Sequence, residues 1–289
     1  MDGLPKPQRH FAVLAISLGT ALSVIDGAIP NVALPTIAEG LGVDASAAML
    51  IVSVYQLVLV MTLLPLSALG SRIGLKRMYQ YGQCVFIVSA LLCFLAPTLP
   101  LLLAARTLQA LGAAAALSVA SALVRSIYPG NQLGRGLGIN SIVVASSAAL
   151  APILGGFIAA AVSWHWVFVA TVPLGVLSLL VGQRSLPDVP PHSQSFSIPG
   201  ALLCALTFGL IISGLLALSQ GQSTSVSLTV VAAGVIFAII FVRRELNQVS
   251  PILPVDLLAE RIVALSITGA QFAFIGSTTF ILSLPFRLQ

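Results

Sequence analysis

Ile25-Asp26-Gly27-Ala28-Ile29-Pro30-Asn31-Val32-Ala33-Leu34-Pro35 lies near the far end of an apolar run that opens at Phe11. It places one carboxylate, Asp26, inside that run with no basic residue within a helical turn. An ionisable group inside a membrane span is costly and marks a functional site by default. The rest of the chain reads as the membrane, the cavity and the partner for this acid.

Composition fixes the class. Hydrophobic residues make up 58% of the chain and charged residues 7%, against about 25% charged in a soluble domain. The mean hydropathy of +1.07 agrees. The net charge of +5 does not form a basic stripe on a polar face, so nucleic acid is not an expected partner. Cys84, Cys93 and Cys204 lie inside apolar runs, odd in number and without metal-ligand spacing, and read as small core residues. Lys6 and Arg9 resemble the start of a signal peptide, but the run that follows is longer than a signal core and more runs succeed it, so an uncleaved first helix is expected.

A span needs about 20 apolar residues. Nine runs qualify: 11–34, 47–69, 79–97, 100–124, 137–162, 164–183, 198–219, 226–242 and 262–284. With the N-terminus in the cytoplasm, Lys6, Arg9, Arg72, Lys76, Arg77, Arg125, Arg135, Arg184, Arg243, Arg244 and Arg261 all fall inside. The outside loops between spans hold no Lys or Arg, and one holds Glu39 and Asp44. This is the positive-inside pattern. Arg287 falls outside, after the ninth span, and an odd span count leaves the C-terminus there; Pro285 to Gln289 form no cap, so the chain reads as cut after the ninth helix. The proline- and serine-rich stretch 184–198 reads as a linker after six spans, and a six-helix bundle of two inverted triplets is the half-unit of many secondary transporters.

Two charges lie within the spans, Asp26 and Arg106. At about 1.5 Å per residue Asp26 sits roughly 22 Å up from the inner end of the first span, and Arg106 roughly 9 Å down from the outer end of the fourth. Both fall in the outer half and can meet if their helices are neighbours. Two readings stay open: a static ion pair that fixes packing, or a proton site whose charge state follows the competition between desolvation and an approaching cation. Gln109 follows Arg106 by three residues on nearly the same helix face, and the small residues Ala110 to Ala116 allow another helix to come close. Gly70, Arg72, Gly74, Lys76 and Arg77 form a tight basic turn, read either as a topology marker or as a contact that breaks and re-forms when two halves rock. Pro152 followed by Gly155 and Gly156 predicts a kinked, closely packed fifth span. Trp164 and Trp166 read as interfacial anchors of the sixth, with His165 among headgroups and no catalytic part.

Together these stretches resemble the major facilitator superfamily, in particular its fourteen-helix drug:proton antiporters of the QacA/EmrB type. Asp26, Asn31, Val32, Ala33, Leu34 and Pro35 match the family's first-span signature, with Ala28 and Pro30 departing from it. Leu69, Arg72, Gly74 and Lys76 match the superfamily's loop motif, with Ser71 in place of its aspartate and Leu75 in place of an arginine. Arg106, Gln109, Gly112, Ala113 and Ala114 match the fourth-span motif, and Pro152, Gly155 and Gly156 the antiporter motif. Trp164-His165-Trp166-Val167-Phe168 is similar to the family's entry to the sixth span.

The resemblance implies an all-α membrane protein divided as a cytoplasmic N-terminus (1–10), a six-helix transporter bundle (11–183), a cytoplasmic linker (184–197), an extra helix pair (198–242), a cytoplasmic loop (243–261) and the first helix of a second half (262–289). It implies proton-coupled efflux of amphipathic, often cationic compounds across the inner membrane, with Asp26 and Arg106 in proton coupling and Asp26, Asn31, Tyr55, Gln56 and Gln109 lining the substrate cavity. The expected partners are a small-molecule substrate, protons and lipid, with no cofactor and no metal. A carrier of another solute, or an inactive fragment of a carrier, are the alternatives. An integral-membrane enzyme is disfavoured, because none of His10, His165 and His192 has a carboxylate placed to form a ligand cluster.

Overall fold

The computed structural model describes residues 3–190, 196–221, 223–248, 252–253 and 260–287. His192 of the linker lies outside them. The helices are α1 (Lys6–Leu41), α2 (Ala45–Ile73), α3 (Leu75–Phe94), α4 (Leu99–Ile127), α5 (Leu133–Ala161), α6 (Trp166–Val169), α7 (Val172–Ser185), α8 (Ile198–Ser219), α9 (Thr224–Glu245) and α10 (Arg261–Arg287). Among the described residues seven stretches are long and apolar enough to cross a membrane: α1, α2, α4, α5 with the turn before it, α6 with α7, α8 and α9. The expected spans 79–97 and 262–284 coincide with α3 and α10, which fall outside that set. In α3 the reason is its basic, polar first half, Lys76, Arg77, Gln80 and Gln83.

The bundle is organised around α1 and α4. Each buries most of its most apolar stretch, whereas α2, α5, α8 and α9 bury only a small share of theirs. Apolar side chains on the outside, such as Ile142, Ile153 and Phe157 of α5, are what a bilayer rather than water would cover. α1 packs on α5 and α7, α4 on α2 and α3, and α3 on α7; α8 and α9 form a hairpin that rests on α2 through α8.

Glycines set the closest approaches. A Cβ on Gly82 would lie 2.7 Å from the Ala116 amide nitrogen, and one on Gly112 would lie 2.6 Å from that of Phe86. α3 and α4 therefore cross backbone against backbone, as the small residues Ala110 to Ala116 anticipate. The α8–α9 hairpin repeats the device: a Cβ on Gly214 would meet Val231, and one on Gly234 would meet Ile211.

Four local expectations need correction. The basic turn, expected to run from Gly70 to Arg77, is far shorter: α2 continues to Ile73 and α3 begins at Leu75. Gly74, at φ 101°, supplies the whole reversal, because only glycine adopts that conformation freely. Gly70 is buried inside α2, where a Cβ would lie 2.5 Å from Val119. The sixth span, expected over 164–183, is one apolar stretch built from two helices, α6 and α7, with Pro173 in the first turn of the second. Trp164 is no interfacial anchor: it is 6% exposed and packs over Gly40, while Trp166 faces outward. Cys84 is exposed, and only Cys93 and Cys204 are core residues.

The cations Lys6, Arg9, Lys76 and Arg184 gather at one end of the bundle. There the Leu4 amide donates to the Ile127 carbonyl, the Gln8 side chain to the Ser185 carbonyl, and Lys76 pairs with Asp188 at 3.3 Å.

Replacing Gly112 by valine should push α3 off α4. Overpacking of this kind costs about 1–3 kcal/mol, and a lowered melting temperature in detergent, with Leu108→Val on the exposed face of the same helix as reference, is the measurement.

Candidate functional site

Asp26 and Arg106 come together in the middle of the α1–α4 contact. Arg106 Nη1 donates to Asp26 Oδ2 at 2.8 Å and to Gln109 Oε1 at 2.8 Å, and Gln109 Nε2 donates to Asp26 Oδ1 at 3.0 Å. The three side chains close a ring in which each carboxylate oxygen has a donor. All three are fully buried. The local cause is helix geometry: the i, i+3 spacing on α4 aims Arg106 and Gln109 at the same point on α1.

Apolar layers seal the ring. Ile29, Ala33, Leu102 and Phe168 lie toward one end, and Leu22, Phe86, Ala110 and Ala113 toward the other. Arg106 Nε and Nη2 have no hydrogen-bond acceptor among the described residues. The guanidinium lies instead 4.1 Å from the centroid of the Tyr55 ring and 5.5 Å from that of Phe168. A desolvated cation over an aromatic face gains about 2 kcal/mol, which offsets part of the cost of the two nitrogens left without an oxygen. Cys93 adds a fourth member, its thiol donating to Gln109 Oε1 at 3.4 Å.

The expected cavity residues separate into two sets. Asp26, Tyr55 and Gln109 are buried in the ring or against it, whereas Asn31 and Gln56 are exposed. Only a thin wall divides them: the position of a Cβ on Gly27 would lie 3.5 Å from Tyr55 and 3.6 Å from Gln56 Nε2. The face of α1 that carries Gly27 and Asn31 is bordered by Gln56 on α2 and, next to Val32, by Gly156 on α5. Pro152 is exposed within an unbroken α5, and Gly155 brings that helix onto α1, where a Cβ would lie 2.9 Å from the Ile29 carbonyl oxygen. Arg72, Gly74, Lys76 and Arg77 are far from the ring, at the basic end.

Cys93 and Phe168 escaped notice as members of the site. A cysteine in an apolar run looks like any small residue, and Phe168 sits in a segment that otherwise reads as a helix entry. A second buried polar cluster also has no marker in the sequence: the Tyr79 hydroxyl donates to the Ala15 carbonyl at 2.8 Å and lies 2.8 Å from Ser178 Oγ, tying α3, α1 and α7 together.

Comparison with known proteins shows the family of the chain. The chain is 43% identical over 290 residues to the uncharacterized transporter YebQ of Escherichia coli, covering 100% of this chain and 64% of that protein. It is 31% identical to the riboflavin transporter RibZ of Clostridioides difficile, covering 82% and 51%, and 32% identical to a methylenomycin A resistance protein of Streptomyces coelicolor, covering 95% and 59%. The chain thus spans between half and two-thirds of these relatives. Among solved structures, the peptide transporter POT in complex with sulfate superposes with a TM-score of 0.59 at 18% identity, over 82% of this chain and 51% of that one, a likeness of fold. The sequence profile of the Major Facilitator Superfamily matches residues 16–287, and the chain, a multi-pass membrane protein, belongs to that family of transporters.

Proposed function

We propose that the chain supplies the proton-coupling half of a drug:proton antiporter of the fourteen-helix type, seated in the bacterial inner membrane with its basic end in the cytoplasm. The observation that carries the reading is the sealed Asp26–Arg106–Gln109 ring. A carboxylate that exchanged nothing would need no second resting place for its arginine, yet Arg106 already leans on Tyr55 and Phe168. Protonation of Asp26 cancels its attraction for Arg106, which then rests on the aromatic faces. A cationic substrate approaching along Asn31 and Gln56 competes with the proton for the same carboxylate, since two positive charges beside one acid in a low-dielectric site repel strongly. Proton and substrate therefore alternate. The relation to methylenomycin resistance proteins supports export of a toxic compound. A second reading, carriage of a planar neutral solute, draws on the similarity to a riboflavin transporter.

In everted membrane vesicles containing the protein, an imposed pH gradient should drive uptake of a cationic dye, and Asp26→Asn should abolish it. Uptake undiminished in that variant rejects the coupling role, and uptake of riboflavin but not of dye favours the second reading.

Stability should separate a coupling acid from a structural one. Asp26→Asn leaves Arg106 buried without a counter-charge, a change that costs about 3–5 kcal/mol when a buried pair is broken. Adding Arg106→Gln should restore most of the lost thermal stability, because the two amides can still bond to each other and to Gln109, while dye uptake stays absent.

A further inference from the structure

At the basic end a cleft of about 850 Å³ opens between the first turns of α1 and the last turns of α7. This volume falls in the range of ligand clefts. Its walls are Pro7, Phe11, Leu180 and Val181, and its rim carries Gln8 and Arg184. Phe11 is 58% exposed and Leu180 57%. The Gln8 side chain donates to the Ser185 carbonyl at 3.3 Å, which ties α1 to α7 beside the cleft. Among the described residues no carboxylate lines the cleft, and Lys6, between Pro5 and Pro7, is exposed as well.

We infer that this cleft seats one anionic phospholipid, its phosphate on Arg184 and one acyl chain along Phe11, Leu180 and Val181. Three features select that occupant. The cleft is apolar at its membrane end and cationic at its rim, the polarity of a lipid and not of a peptide or a soluble anion. It lies on the flanks of two membrane spans, where acyl chains are the solvent. It sits at the end where the cations gather, the level of the headgroups, and a Lys or Arg near an anionic surface attracts it about fivefold. Arginine also grips phosphate through paired donors, which a zwitterionic lipid with its own cation satisfies less well. A lipid seated there would brace α1 against α7 at the ends of the two helices, away from the buried ring.

The test uses the purified chain in a neutral detergent, offered phosphatidylglycerol and phosphatidylcholine of matched acyl chains, with bound lipid counted by native mass spectrometry. One phosphatidylglycerol should be retained, about fivefold in preference to phosphatidylcholine. Arg184→Gln should bring the preference near unity, Arg184→Lys should keep part of it, and Arg125→Gln, an exposed cation of α4 outside the cleft, should keep all of it. Leu180→Trp should fill the cleft and lower retention of both lipids. Arg184 and Leu180 are exposed, so helical circular dichroism should be unchanged in every variant. Equal retention of the two lipids by the parent chain overturns the proposal. So does an unchanged preference in Arg184→Gln, an equal loss in Arg125→Gln, or displacement of the lipid by inorganic phosphate.

Discussion

Arg106 reaching Asp26 across the α1–α4 contact is the constraint to which the bundle answers. Two full charges out of water are tolerated only with good geometry and with their remaining donors and acceptors occupied. Both carboxylate oxygens and one guanidinium nitrogen meet that demand, whereas Arg106 Nε and Nη2 find no acceptor among the described residues. Gln109 donates to one carboxylate oxygen and accepts from the arginine, Cys93 steadies the amide, and two aromatic faces take the side of the guanidinium that lacks an oxygen. Helices that carry such a pair cannot slide past one another without breaking it, so the pair also fixes the register of α1 on α4.

That register depends on how near the backbones come. Within a membrane no hydrophobic force draws helix to helix, and packing has to supply the attraction. Gly82 and Gly112 bring α3 onto α4, Gly155 brings α5 onto α1, and Gly70 brings the end of α2 against Val119 of α4. These contacts surround the central pair of helices and hold them while the outer faces of α5, α8 and α9 remain apolar and exposed. The same economy is met at one polar cluster inside the bundle: Tyr79, Ser178 and the Ala15 carbonyl satisfy one another where no water is at hand.

The site and the surface meet at Gly27. Its missing side chain leaves Tyr55 and Gln56 close to α1, one turned into the buried ring and the other left exposed. A single helix turn of α2 thus carries the inner wall and the outer face of the candidate cavity. This is the place where a change in the exposed surface would first be felt by Arg106, which lies over the Tyr55 ring.

Much of this was legible in the chain itself. Long apolar runs have one low-energy outcome, the helix, because every backbone group must find its partner inside the segment; the run lengths therefore gave the helices, and Asp26 and Arg106 announced themselves by being charged where charge is costly. The i, i+3 spacing by itself puts Gln109 on the helix face of Arg106. What the sequence could not carry was which side of each helix looks inward. Tyr55 and Gln56 are neighbours with opposite fates, Trp164 and Trp166 likewise, and Cys93 joined the ring while Cys84 stayed outside. Membrane helices are apolar on all sides, so periodicity does not distinguish a lipid-facing flank from a buried one. Only the tertiary packing, set by where glycines let backbones touch, decided those orientations and brought residues 80 positions apart to 2.8 Å.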